Sequence, residues 1–542
     1  MIFFAVLVSI TSCKKSDPAD PPPPPPPPPP VSEYDTSKAT SVLKNAAAFH
    51  VGLAVDYTQY MNDAAYAAVV AREANNITLG YHMKHGAIVK NDGSFDFVRT
   101  DEMVNKASAA GLWIYGHTLA WHQNQNGDYL RSLSSIAGTT DVFTGQNGDF
   151  ESGTATSFAP DWARLVGGTA AATYEVETSS PPQGARAFKV TVTTLGANPW
   201  DVQMFQNNTV NTWPGTMGTQ YIIKLWAKTS TAGGSFRVIN QVGSGGTLTP
   251  NYDLSPTASW AEYSIPFTCA ESNPTLKFWF NKLGTYWIDD IRIFQATTAP
   301  PGSPAIAEKV DSALKRWIRA SVTRYPVKVK AWDVVNEPYT DGSPVLRNGS
   351  GATGDTYYWA EHLGRGYIAK AFNYAREYDA TSDLFLNDYN LEFNPAKVDS
   401  FVALANQLKT QGVPITGVGT QMHIGINTNK AGIDAMFVKL AATGLKVKIS
   451  ELDIRINPSN NAGFTPTEAL LNEQAAMYRY VLQSYYSNVP AAQRYGVTVW
   501  GISDNFSWIV VSQGRVDFPL LFDQAYKKKP GYTGLWLGLK QQ

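Results

Sequence analysis

Apolar and polar positions recur along this chain in one order: a short apolar run, a polar tip, then a longer stretch with helical spacing. The clearest run is Lys328 to Pro338. Val329, Ala331, Val334 and Val335 are strand material, and Pro338, which cannot donate to a ladder, ends the strand. The tip carries Asn336 and Glu337. A second run, Lys446 to Asp453, has the same grammar and ends in Glu451 and Asp453. The other apolar runs predict strands at His50–Val55, Asn76–Leu79, Leu112–His117, Asp383–Tyr389, Ile415–His423 and Gly496–Asp504. Between them, helical spacing predicts helices over Tyr60–Ala74, Asp101–Ala109, Tyr358–Asp379 and Val398–Leu408. A further helix begins at Ile306, with Val310, Leu314, Trp317 and Ile318 on one face. Eight strands alternating with helices predict an α/β fold, a (β/α)8 TIM barrel whose strand tips form the active face.

From about Asp141 to Thr298 the pattern changes. Short strands rich in Thr, Ser and aromatics, separated by turn residues, predict an antiparallel β-sandwich interrupting the barrel after its third strand. The chain thus divides into barrel segments 35–140 and 299–542 around an insert, 141–298, expected beside the substrate cleft. Seven of the fifteen tryptophans fall in the insert. Trp226, Trp279 and Trp287 lie in apolar strands and are expected in the core, and Trp260 fits either place. Trp200 and Trp213 lie among Asn, Pro and Gly and are expected as exposed ligand-stacking rings.

Composition narrows the partners. At 542 residues two or more domains are expected, and a net charge of -1 leaves no basic surplus for nucleic acid. Neutral ligands such as sugars remain. The cysteines are Cys13 and Cys269, so no structural disulfide is expected. Ile2 to Ile10 is too short to span a bilayer, and it ends in Ile10-Thr11-Ser12-Cys13, which resembles a bacterial lipobox. Residues 1–13 then read as a signal lipidated at Cys13, with a plain secretory signal as the alternative. Residues 14–34 form a spacer whose ten prolines, Pro21 to Pro30, extend roughly 30 Å at about 3.1 Å per residue. A monomer in the cell envelope is expected.

The chemistry lies in the strand tips. Two glutamates far apart in sequence, each at a tip, are what acid–base cleavage of a glycosidic bond requires. His117, at the tip of the third strand, is followed by Trp121 and His122, which suits contact with a sugar. His82 and His85 are three apart without a third metal ligand, and no active-site metal is expected.

Taken together, Gly116 to His122, Trp332 to Pro338, Gln421 to His423, Ser450 to Asp453 and Trp500 to Asp504 with Trp508 resemble glycoside hydrolase family 10. The resemblance implies a retaining endo-1,4-β-xylanase that needs no catalytic cofactor. It makes Glu337 the acid/base and Glu451 the nucleophile, oriented by His423 and Asp453. Asn336 would bind the sugar 2-hydroxyl. Lys84 and His117 would hold sugars on the non-reducing side, with Gln421, Tyr389, Trp121, Trp500 and Trp508 lining the cleft. Trp500 and Trp508 are expected to raise the pKa of Glu337 by desolvation. One departure stands out. The family's second strand usually ends Glu-Asn before a Met-Lys pair, whereas Gly80-Tyr81-His82 precede Met83-Lys84 here, and Gln125 is offset from the usual glutamine. An altered distal subsite, open to decorated xylan, is implied. The insert, opening Asn147 to Gly153 and closing Trp287 to Ile291, resembles carbohydrate-binding modules of families 4 and 22. Those often hold a structural calcium, for which Asp149, Glu151 and Asp289 are candidates. The alternatives are a retaining β-1,4-glucanase of the same fold and a non-catalytic glycan-binding surface lipoprotein.

Overall fold

The computed structural model describes residues 32–152, 159–178, 180–206, 212–298 and 303–542. Cys13 and the proline run lie outside them. The barrel strands are β1 (His50–Val55), β2 (Asn76–Leu79), β3 (Trp113–Ala120), β4 (Val329–Asn336), β5 (Asp383–Asp388), β6 (Gly417–Thr420), β7 (Lys446–Arg455) and β8 (Arg494–Val499). Each pairs in parallel with the next, and β8 pairs with β1, so the ring is closed. All eight tips therefore point to one mouth.

Three elements differ from the sequence pattern, each for a local reason. The helix expected over Tyr60–Ala74 is two, Tyr57–Asn62 and Ala64–Glu73. Asp63 separates them and caps the second, accepting from the N–H groups of Ala65 and Tyr66. The helix expected over Tyr358–Asp379 breaks at Gly364, whose φ of 58° lies in the left-handed region, and the long part is Tyr367–Tyr378. The sixth run is interrupted at Met422, φ 64°, so His423–Gly425 forms a separate short strand beside β7.

Between β3 and β4 the chain builds two antiparallel sheets. One runs, in spatial order, Thr249–Leu254, Phe236–Gln241, Thr275–Trp279, Val202–Gln206, Trp162–Val166. The other centres on Gln220–Thr229 and Gly284–Thr298. They share a core that includes Phe150, Trp162, Phe188, Phe278 and Ile288. The antiparallel pairing begins at Ser135, ahead of Asp141, where Ser135–Asp141 pairs with the last strand of the insert.

The tryptophans of the insert sort differently from the sequence reading. Trp213 is fully buried. Its ring meets Tyr221 edge-on at 4.9 Å, and its Nε1 donates to Asn240 Oδ1 at 2.8 Å. The polar residues flanking it mark a loop, but the loop folds back onto the sheet. Trp226 and Trp287 are half-buried on the outer face of the larger sheet, where the Lys228 ammonium lies 4.9 Å over the Trp287 ring. Trp279 is buried as expected, though it alternates with core-facing Phe278 and is covered on the other face of the smaller sheet, 5.7 Å from Trp200. An apolar run on a strand buries only every second side chain in the core.

Candidate active site

β4 delivers Glu337 in a left-handed backbone conformation, φ 52°, rare for a residue with a Cβ. Gln421 Nε2 donates to Glu337 Oε1 at 2.8 Å, Asn336 Nδ2 does so at 3.4 Å, and Arg347 Nε donates to the Glu337 carbonyl at 3.2 Å. Burial pushes the Glu337 carboxyl above its ordinary range, and the charge of Glu451 adds to this against the Gln421 hydrogen bond.

β7 delivers Glu451 into a different setting. Asn387 Nδ2 donates to its Oε1 at 3.1 Å, and His423 Nε2 lies 3.4 Å from its Oε2. Burial acts to raise this carboxyl too. The His423 hydrogen bond and the nearby charges of His117, His423 and Lys84 outweigh it, holding Glu451 below the usual range. His423 is itself braced: its Nδ1 is 2.8 Å from Asp453 Oδ2, which also accepts from Trp508 Nε1 at 2.8 Å. Burial alone would lower the His423 pKa, but Asp453 and Glu451 push it up to about 10. The imidazolium thus has a proton on each nitrogen, one for each carboxylate.

His117 is held by Asp333, Nδ1 to Oδ2 at 2.8 Å, and Asp333 also accepts from Tyr115 Oη at 2.7 Å. His117, Asp333 and Glu451 each bring an atom within 4.8 Å of the others. Trp500 packs edge-on to His117 at 5.3 Å. Lys84 Nζ sits 4.5 Å over the Trp121 ring. Tyr389 Oη accepts from Arg347 Nη2 at 2.8 Å and contacts Asp341.

These groups line one cleft of about 930 Å³. Every barrel residue given a catalytic or binding role by the family resemblance faces it except Asp453, which lies behind His423, whereas His122, Gln125, His82 and His85 are not among its lining residues. Trp500 and Trp508 contact His117, His423 and Asp453. Around the Glu337 carboxylate Gln421 and Asn336 donate, and His122 Nδ1 lies 3.9 Å from Oε2. None of the insert's described residues lines the cleft; the insert packs on the helix Gly127–Ser132, where Asp128 and Ser132 meet Tyr221 and Phe267.

Sequence reading passed over Asn387. Its Nδ2 donates both to Asn336 Oδ1, at 2.8 Å, and to Glu451 Oε1, so it ties the two tips together. Ser450 Oγ donates to its Oδ1 at 2.8 Å. Gly419 makes room for it, since a Cβ there would fall 2.3 Å from Asn387 Oδ1. The available signal was positional: Asn387 follows the same inward parity as Phe385 on β5. Asp333, within the run Trp332 to Pro338, takes its role from its contacts with His117 and Tyr115 on β3.

Endo-1,4-beta-xylanase A of Cellvibrio japonicus is 37% identical over 235 residues, 41% of this chain and 38% of that protein. Exoglucanase XynX of Acetivibrio thermocellus is 34% identical over 293 residues, 53% of this chain and 24% of that protein. The chain therefore matches well under half the length of either relative. Among solved structures, a thermostable mutant of a Cellvibrio japonicus xylanase aligns with TM-score 0.53 at 23% identity, over 92% of this chain and 99% of that one. Such low identity speaks to the fold alone. The profile of glycosyl hydrolase family 10 matches residues 40–144 and 278–536, two stretches that together bring in all eight barrel strands and both glutamates. With the barrel, its interruption and that match in agreement, the chain belongs to glycosyl hydrolase family 10.

Proposed function

We propose that this chain is a retaining endo-1,4-β-xylanase. The observation that carries the reading is the opposite drift of two buried carboxyls at one mouth: Glu337 held toward its protonated form, Glu451 toward its ionised form. Glu451 attacks the anomeric carbon as Glu337 gives its proton to the departing glycosidic oxygen, leaving a glycosyl ester on Glu451. Glu337, now ionised, takes a proton from water. That water attacks the same carbon and frees Glu451. Asn336, held by Asn387, is placed to bond the hydroxyl next to that carbon. A reducing-sugar assay on xylan and on cellulose tests the substrate. Release from xylan that Glu451→Ala lowers on the order of 10⁴-fold or more supports the proposal. Preference for cellulose favours the glucanase alternative, and an undiminished variant sinks the mechanism.

We further propose that the insert binds xylan through the outer face of its smaller sheet. Trp200 is 46% exposed and meets Trp279, itself buried, at 61°, and Gln203 and Arg237 stand beside Trp279 in register. A flat exposed ring near polar side chains suits a sugar's apolar face and hydroxyls. A structural calcium in the insert fits Asp289. That residue is wholly buried, its Oδ2 has no hydrogen-bond partner, and burial, with Asp290 and Glu151 adding, pushes its carboxyl up to about 7. Asp289 and Glu151 would hold the ion; Asp149 stands at the same opening. The motif ending at Cys13 supports an envelope anchor, which incorporation of a labelled fatty acid would check.

A further inference from the structure

Two charged groups in the cleft take no part in the chemistry above as a pair. Lys84 is buried to 8% exposure. Its ammonium lies on the Trp121 ring and has no hydrogen-bond or ion-pair partner among the described residues. Asp56 follows the tip of β1, and its carboxylate likewise has no partner among the described residues. Both line the cleft. The two are coupled by charge yet form no direct ion pair.

Gly80 explains how Asp56 gets there. A Cβ built on Gly80 would lie 2.8 Å from Asp56 Oδ1. Any side chain at position 80 would push the carboxylate aside. One space at the second strand tip can thus be filled either from position 80 or from position 56, and here it is filled from position 56.

We propose that Asp56 is a substrate-binding residue of the distal sugar site, acting with Lys84 across the gap that Gly80 leaves. This rests on the xylanase reading above. Two neighbouring hydroxyls of a pyranose ring match such a gap: one donates to the Asp56 carboxylate and the next accepts from the Lys84 ammonium. An unpaired anion and an unpaired cation, held apart on rigid strand ends, are satisfied only when that ring arrives. The effect falls on the second sugar from the scissile bond, because the first occupies the space between Glu337, Glu451 and His117.

Two substrates isolate this site: an aryl β-xylobioside, which reaches it, and an aryl β-xyloside, which does not. Asp56→Ala should lower kcat/KM on the xylobioside about tenfold to a hundredfold, the scale of one lost charged hydrogen bond, and leave the xyloside within about twofold. Asp56→Asn keeps the shape without the charge and should fall between. It also guards against loss of fold, checked by an unchanged thermal midpoint. Equal losses on both substrates, or none on the xylobioside, overturn the proposal. If instead the wild type hydrolyses neither glycoside above the Glu451→Ala background, the xylanase reading itself fails.

Discussion

The barrel mouth and the outer sheet face of the insert both present polar and aromatic side chains, and they are built on opposite principles. At the mouth the groups around the two glutamates are held by one another: His423 between Glu451 and Asp453, Asn387 between Asn336 and Glu451, His117 against Asp333. On the sheet face, exposed Trp200 lies against Trp279, whose Nε1 has no partner among the described residues. Groups that must hold charge are fixed in advance by their neighbours. Groups that only need to be flat and apolar require a rigid strand beneath them and little else.

The comparison breaks most visibly at the acid. Glu337→Ala should cost roughly 10²–10⁴-fold on substrates with poor leaving groups and much less on aryl glycosides with good ones, because only the former need the proton. Its pH profile should change with it. In the wild type, activity falls as pH drops through the depressed pKa of Glu451, which must be ionised, and falls as pH rises through the elevated pKa of Glu337, which must be protonated. The variant should keep the acid limb and lose the alkaline one. An intact alkaline limb would assign it to another group.

A smaller effect is expected at the sheet face. Trp200→Ala should weaken binding of polymeric xylan several-fold, on the scale of one aromatic contact, and leave kcat/KM on short oligomers unchanged. Pull-down on insoluble xylan beside an oligomer assay measures both, and a drop on oligomers would tie the insert to the cleft. The smallest effect belongs to the ion. A chelator should lower the thermal midpoint of the insert by a few degrees, as loss of a ligand bound only to the folded form does, without touching oligomer turnover. A midpoint that does not move removes calcium from Asp289.

Much of this was legible in the residue order. A strand that ends in Asn-Glu-Pro announces its own tip, so Glu337 and Glu451 could be placed at one mouth from the alternation alone. What could not be read depends on contacts between distant runs. Asn387 looks like any strand-end amide until β4 and β7 are set on either side of it. Trp213 was expected exposed and is buried, because local polarity describes a loop's neighbours in sequence, whereas burial depends on which sheet face the chain folds across. Asp56 drew no attention because its partner feature is an empty Cβ position at Gly80.

The pairing of Ser135 with Thr298 has a consequence for how the chain assembles. β3 and β4 are neighbours in the ring, yet the whole insert separates them. Once folded, the insert clasps its own first and last strands together, so the chain leaves close to where it entered. For the growing ring the detour then behaves as a short tether, sparing roughly 2–3 kcal/mol of closure entropy relative to a slack connection of that length.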